Sequence, residues 1–159
     1  MAAPWHLIEE KLEVAMQTAL VTEYGGSIDS SGLITGGDFD GVRILIGFSL
    51  DEIDPPYIAV IADESEPAED SLSIPTGNQS VQVKVRVCGH RGDTTRDLHS
   101  ALAAKVKDFI YADALPNLLN AAGVTDLTVY RTYPSRTSRR IEDAMLITET
   151  TFTAKAMPS

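Results

Sequence analysis

The chain has 159 residues, of which 43% are hydrophobic and 23% charged, a composition typical of one globular domain. No apolar run reaches the roughly 20 residues that a membrane helix needs. Three glutamates, Glu9, Glu10 and Glu13, interrupt the N-terminal stretch that a signal peptide would keep apolar. Cys88 is the only cysteine, which excludes an intrachain disulfide and a zinc site made of several thiolates. We expect a single domain over residues 1–159, located in the cytoplasm.

The net charge of −10 is unevenly divided between the two halves of the sequence. Residues 1–80 hold two basic and fifteen acidic side chains, whereas residues 81–159 hold eleven basic and eight acidic ones. This balance argues against a general nucleic-acid-binding protein, because acidic surfaces repel phosphates. Unlike halves suit head-to-tail contact between copies, although the same charges also serve solubility alone.

The first half of the chain predicts one helix followed by turns and short strands. Apolar residues recur at three- and four-residue steps over 5–23, which indicates an amphipathic helix. Residues 24–54 are rich in glycine and aspartate, a composition typical of turns, and we expect one strand within them at 42–48. An apolar run at 57–61 predicts an interior strand. The acidic stretch at 63–79 predicts an exposed loop.

The second half begins with the clearest strand of the sequence, at 79–88, where valines alternate with polar residues. A helix capped by Thr94 or Thr95 is expected to follow and to end near Tyr111, and a shorter helical segment is expected at 116–121.

The end of the chain predicts an antiparallel pair of strands. Residues 125–132 and 144–156 are rich in β-branched and aromatic side chains, and they flank a basic, turn-prone stretch at 133–140. The whole pattern predicts an α+β fold, with a mostly antiparallel β-sheet and two main helices packed on one face.

Two groups of residues invite a catalytic or metal-binding interpretation. The loop at 36–41 carries two aspartates among glycines, but it lacks the ligand count and the terminal glutamate of a calcium loop, so a plain turn is favoured. Cys88, His90, Asp93 and His99 lie close in sequence, yet neither a zinc spacing nor an orienting partner for a nucleophile is evident. No nucleotide-binding, zinc-protease or esterase motif occurs. We therefore predict no catalytic residue, no cofactor and no metal.

A cluster of arginines and tyrosines near the final strands is the remaining candidate site. Both residue types are favoured in protein interfaces, and a basic hairpin can bind an acidic neighbour, whereas a solvated loop is the plainer alternative. The predicted interface residues are Tyr130, Arg131, Tyr133, Arg136, Arg139 and Arg140.

The order of these elements resembles that of the tail-terminator, or tail-completion, proteins of long-tailed bacteriophages. The resemblance rests on the N-terminal helix at 5–23 and on the entry into a short strand at 56–60. It continues with the valine strand at 81–87, with Gly89 and the turn into the amphipathic helix at 97–110, and with the two closing strands.

The resemblance implies a structural virion protein that forms a ring, commonly of about six subunits, at the head-proximal end of a tail tube. Its partners would be copies of itself, the tail tube protein and the head–tail connector protein, and DNA would pass through the lumen without specific binding. It would be found in the tail or neck of the virion, and in the host cytoplasm during assembly. Within the ring, we expect the sheet edge near 125–132 and 144–156 to contact a neighbour or the tube.

Three alternatives remain open from the sequence. The first is another head–tail connector subunit, a stopper or adaptor. The second is a small metal-dependent hydrolase that uses His90, Asp93 and His99. The third is a monomeric binding module of ferredoxin-like shape, because such domains share parts of the same order of elements.

Overall fold

The computed structural model describes residues 8–47, 56–67, 78–90, 93–142 and 145–157. The elements are α1 (Ile8–Tyr24), β1 (Ser27–Ile28), β2 (Ile34–Thr35), β3 (Arg43–Ile46), β4 (Tyr57–Pro67), β5 (Gln79–His90), α2 (Asp93–Tyr111), α3 (Leu115–Ala121), β6 (Thr128–Glu142) and β7 (Met145–Met157). Strands β3 to β7 form one sheet in the order β3-β4-β5-β7-β6, and β1 pairs with β2 in a small hairpin. All neighbours in the larger sheet are antiparallel except β3 and β4. The predicted α+β class is confirmed.

Strand β5 lies at the centre of the sheet and shows the predicted alternation. Its valines are at most 1% exposed, and they pack in one core with apolar residues of α1, α2 and α3. Burying a valine side chain contributes on the order of 1.5–3 kcal/mol, so this row is a main source of stability. The valines are Val81, Val83, Val85 and Val87. None of the helices in the described ranges is long and apolar enough to cross a membrane.

The other side of the sheet, called the outer face below, carries a smaller apolar cluster and charged residues. The cluster consists of Tyr57, Ala59, Cys88 and Ile147. Beside it, the Arg86 guanidinium donates a hydrogen bond to the carboxylate of Glu149, which is only 6% exposed. A carboxylate so far from water needs a cationic partner, and Arg86 supplies it.

Helix α1 supports the part of β4 that β3 does not reach. Strand β3 pairs with β4 only as far as Val60. Just beyond, the Ala62 amide donates to Oε2 of the buried Glu13 over 3.1 Å. Burial raises the pKa of Glu13, and the hydrogen bonds from the Ala62 and Gly47 amides only partly offset that effect. The Glu13 side chain of α1 thus accepts a hydrogen bond from the Ala62 amide, at a position where β3 no longer pairs with β4.

The glycine pairs of the segment after α1 allow two stretches of backbone to meet. Gly37 has a φ of +70°, and a Cβ added there would lie 2.4 Å from the carbonyl carbon of Gly25. Only glycine permits both the conformation and the contact. Strand β3 at Arg43–Ile46 lies within the range predicted for a strand, and residues 48–54 of this segment lie outside the described residues.

The prediction of an exposed loop from residue 63 was wrong for its first part. Strand β4 continues to Pro67, although its side chains from Asp63 to Glu66 are exposed as predicted. The reason is tertiary, because β5 pairs with this stretch and Lys84 forms an ion pair of 2.9 Å with Asp63. Residues 68–77 of the predicted loop lie outside the described residues.

The prediction of a basic turn at 133–140 was also wrong. Strand β6 runs through it without interruption, paired with β7. A bulge at Pro134/Arg136 accommodates the proline, and the Ser135 hydroxyl donates to the Thr151 carbonyl over 3.0 Å. Consequently β7 is an interior strand, so the expected sheet edge at 144–156 is corrected, and β6 alone forms that edge.

The helices of the second half begin close to their expected positions. Helix α2 starts at Asp93, so Thr94 and Thr95 lie within its first turn and the prediction that either one caps it was wrong. Helix α3 covers the predicted 116–121 and begins one residue earlier.

Replacing Gly89 by alanine tests the close packing of α2 against β5. A Cβ at Gly89 would lie 2.9 Å from Nδ1 and 3.2 Å from Cβ of the buried His99. We expect Gly89→Ala to lower the free energy of unfolding by about 1–3 kcal/mol, the cost of overpacking. In a His99→Ala background the same substitution should cost much less. Urea unfolding of the four proteins measures both costs, and equal costs in the two backgrounds would contradict this account.

Candidate interaction surface on the edge strand

Strand β6 is the terminal strand of the sheet and is the most exposed long element in the described ranges. It is 15 residues long and pairs with β7 on one side only. Only Val129 is buried. A strand of this length with one unpaired edge presents a row of backbone donors and acceptors that another chain can use.

The register of β6 against β7 determines on which face each predicted interface residue lies. Residues directly opposite each other share a face, and the partners Lys155, Thr153, Thr151 and Ile147 belong to the outer face. The structure therefore brings four predicted residues together on the outer face: Arg131, Tyr133, Arg136 and Arg140. Arg139, opposite Thr148, points to the helix side, and Tyr130 lies at a bulge between Val129 and Arg131.

The cationic groups on this strand have few anionic partners. Arg131 and Lys155 lie over the Tyr133 ring, 5.0 and 5.7 Å from its centroid. Arg140 is 3.4 Å from Glu142 and 4.0 Å from Glu149. Arg136 and Arg139 have no ion-pair partner among the described residues. We call the four arginines Arg131, Arg136, Arg139 and Arg140 the basic edge.

One end of β6 is closed to further pairing. The Asn120 side chain on α3 accepts from the Val129 amide over 2.7 Å and donates to the Val129 carbonyl over 2.8 Å, so it occupies the position of a neighbouring strand. Two bulges and Pro134 further hinder regular pairing. These features protect the edge against indiscriminate association but leave its charged residues exposed.

An acidic group that sequence reasoning missed lies on β4 and α1, at the other end of the strand order from β6. Beyond Val60, β4 extends past the end of β3, and the carboxylates at this end border a polar cleft of about 660 Å³. The group, called the acidic edge, comprises Glu9, Asp63, Glu64 and Glu66. Three of these residues belong to the acidic run that begins at residue 63, whose composition predicts a loop and so gives no sign of a sheet edge.

The candidate nucleophile and base are not brought together. Cys88 belongs to the apolar cluster of the outer face, whereas His99 on α2 bonds to Thr148 on the helix side. Burial raises the pKa of the Cys88 thiol, which disfavours the reactive thiolate. The side chains of His90 and Asp93 lie outside the described residues.

His99 is a buried neutral residue at one end of the sheet. Its Nε2 is 2.9 Å from the Thr148 hydroxyl, and its Nδ1 has no hydrogen-bond partner in the described part of the chain. Burial, and then the charge of Arg139, lower its pKa. It borders a cleft of about 330 Å³ together with Ile141 and Leu146. The ring is held by one hydroxyl and by close packing on Gly89, which suits a structural role.

The loop at 36–41, with its two aspartates, is held by hydrogen bonds within the loop and to the end of α1. The Gly36 amide donates to Asp40 Oδ1 over 2.7 Å, and the Asp38 amide donates to the Tyr24 carbonyl over 2.9 Å. Phe39 between them is buried against the Tyr24 ring. Throughout the described ranges, this loop included, no group of three or more histidine, cysteine, aspartate or glutamate side chains is placed to hold a metal ion.

No protein-family model matches the chain, and the comparison with curated proteins finds no significant match.

Removing the side chain that closes the end of β6 should destabilise the fold. We expect Asn120→Ala to lower the free energy of unfolding by about 1–3 kcal/mol, because two hydrogen bonds are lost. Asn117→Ala is the matched control, since that asparagine is exposed on the same helix. Denaturant midpoints measure both variants, and an equally small effect of the two would contradict the role given to Asn120.

The lowered pKa of His99 predicts a pH dependence of stability. The unfolded chain takes up a proton on this histidine at a higher pH than the folded chain does, so the free energy of unfolding falls as the pH drops below about 6.5. The slope from one group is at most about 1.4 kcal/mol per pH unit. His99→Gln should lack the part of the pH dependence that comes from His99, while it keeps a polar partner for Thr148. Unfolding of both proteins at about pH 7.5 and pH 5.5 tests this, and a constant difference between them would contradict it.

Proposed function

We propose that the chain is a structural virion protein, a tail terminator that forms a ring at the head-proximal end of a phage tail tube. The observation that carries the proposal is the long, exposed and basic edge strand β6. Beyond the Asn120 cap, β6 has β7 as its only strand neighbour within the described ranges, and a defined neighbour would pair the other side. The order of elements that resembles tail terminators gives the kind of assembly.

The physical action of such a protein requires only binding. Subunits recruited to the last ring of tube protein join one another through heterologous contacts that close by rotation. The completed ring covers the growing end of the tube, so further tube subunits find no template. Its free side is then available to the head–tail connector protein. An acidic surface around the lumen allows DNA to pass, because like charges weaken phosphate binding.

The rival interpretations differ in partner or in chemistry. A stopper or adaptor of the connector would form a similar ring but would bind the portal side and not the tube. A hydrolase would use His90, Asp93 and His99, and among the described side chains His99 is buried and bonds to Thr148. A monomeric binding module would leave the β6 edge uncovered.

Tube polymerisation tests the proposal directly. The tail tube protein encoded by the same virus is polymerised with and without the purified chain, and tube lengths and ends are measured by negative-stain electron microscopy. We expect shorter tubes with a ring, of about six subunits, at one end only. Unchanged tube lengths with bare ends would overturn the terminator proposal, and rings bound to isolated portal complexes would favour the connector alternative.

A pair of substitutions separates assembly from catalysis. The variant His90→Ala with His99→Gln removes the imidazoles on which the hydrolase alternative depends. We expect its effect on tube length to match that of the unsubstituted chain at pH 7.5, since neither histidine is on the basic edge. A variant that folds but no longer limits tube growth would favour an essential chemistry at these histidines.

A further inference from the structure

We infer that the basic edge of one subunit pairs with the acidic edge of a second copy of this chain, so that consecutive subunits join head to tail through their sheets. The inference rests on the proposed ring and names the two surfaces that would build it. Its occupant is a second copy, because the complementary surface is present on the same chain.

Within the described part of the chain, each edge includes a stretch of strand that has a strand neighbour on one side only. Strand β3 pairs with β4 only over Tyr57–Val60, so the stretch from Asp63 to Glu66 has β5 as its only strand neighbour. On the other side, β6 pairs with β7 alone, and the Asn120 cap is confined to Val129. The uncapped length of β6 exceeds that of the uncovered end of β4, so the contact needs only part of β6.

The charges of the two edges match face by face. Glu64 and Glu66 lie opposite Gln82 and Ser80 of β5, and these residues alternate with the buried valines, so both carboxylates are on the outer face. Arg136 lies on the same face of β6, together with Arg131. When a sheet continues from one subunit into the next, residues on the same face become cross-strand neighbours.

The same charges disfavour the simplest competing assembly. A symmetric dimer that paired β6 with β6 would place arginines near arginines, and one that paired the acidic edges would place glutamates near glutamates. Among the described residues, no ion pair involves Arg136, Glu64 or Glu66. Their charges therefore remain available to a neighbouring subunit. Like-charge repulsion therefore selects the head-to-tail contact, which is the kind that builds rings.

The positions of the two edges allow both contacts at once. Strands β4 and β6 are separated by β5 and β7, which corresponds to three strand spacings, or about 14 Å. A subunit can thus contact one neighbour with β6 and another with β4, without the two neighbours competing for the same residues.

Charge reversal tests the inference by sedimentation velocity over a concentration series. One variant carries Arg131→Glu and Arg136→Glu, and the other carries Glu64→Lys and Glu66→Lys. We expect the unsubstituted chain to form oligomers, and each variant alone to associate at least tenfold more weakly. An equimolar mixture of the two should assemble again, because each reversed edge then meets an edge of opposite charge. The mixture also guards against misfolding, since unfolded variants do not rescue each other.

Charge reversals on α2 serve as controls for those on the two edges. Lys107→Glu and Asp108→Lys reverse exposed charges on α2, away from both edges, and should leave association unchanged. Hydrogen exchange of the β6 amides should slow on assembly of the unsubstituted chain. The inference is overturned if that chain stays monomeric at every concentration, if the reversed variants assemble normally, or if their mixture does not. Tube capping is measured separately, so a ring that forms by other surfaces and still limits tube length would leave the proposed function intact.

Discussion

The helices cover only one side of the sheet, and most other features of the structure follow from this constraint. The valines of β5 bury completely under α1, α2 and α3, and this burial sets which side chains of every neighbouring strand point inward. A shift of register by one residue would expose the whole row, so the pairing is strongly specified. The outer face must then combine a small apolar cluster with charged groups, and Arg86 and Glu149 satisfy each other there.

An open sheet also has two edges, and helix side chains cover part of each one. Glu13 binds the Ala62 amide at one edge, and Asn120 binds the Val129 backbone at the other. Both side chains come from helices that pack on the inner face, so the packing that forms the core also closes part of each edge. The parts left uncovered are the charged ones, in which repulsion between like residues limits unwanted pairing.

In the described ranges, the side chains that could carry chemistry are buried, whereas the charged side chains of the two edges are mostly exposed. The inner side of the sheet is occupied by core, and His99, whose pKa is lowered by burial, is held there against Gly89 and Thr148. On the outer face, burial keeps the Cys88 thiol protonated, and its neighbour Tyr57 has a pKa raised to about 12, chiefly by burial. Arginine and glutamate at the two edges are instead exposed, numerous and of opposite charge.

Periodicity in the sequence determined the helices, the central strand and the α+β class, because alternation in β5 and helical spacing in α1 and α2 are local properties of the chain. Residue type and clustering, not periodicity, singled out the arginines and tyrosines of β6 as candidate interface residues. The tertiary structure alone decided that residues 63–67 and 133–140 are strands, and that β7 is interior while β6 is the edge. Their local composition favours loops and turns, and hydrogen bonding to β5 and β7 outweighs that preference. Strand order depends on contacts between residues far apart in the chain, so no local pattern could place the acidic and basic residues on opposite edges of one sheet.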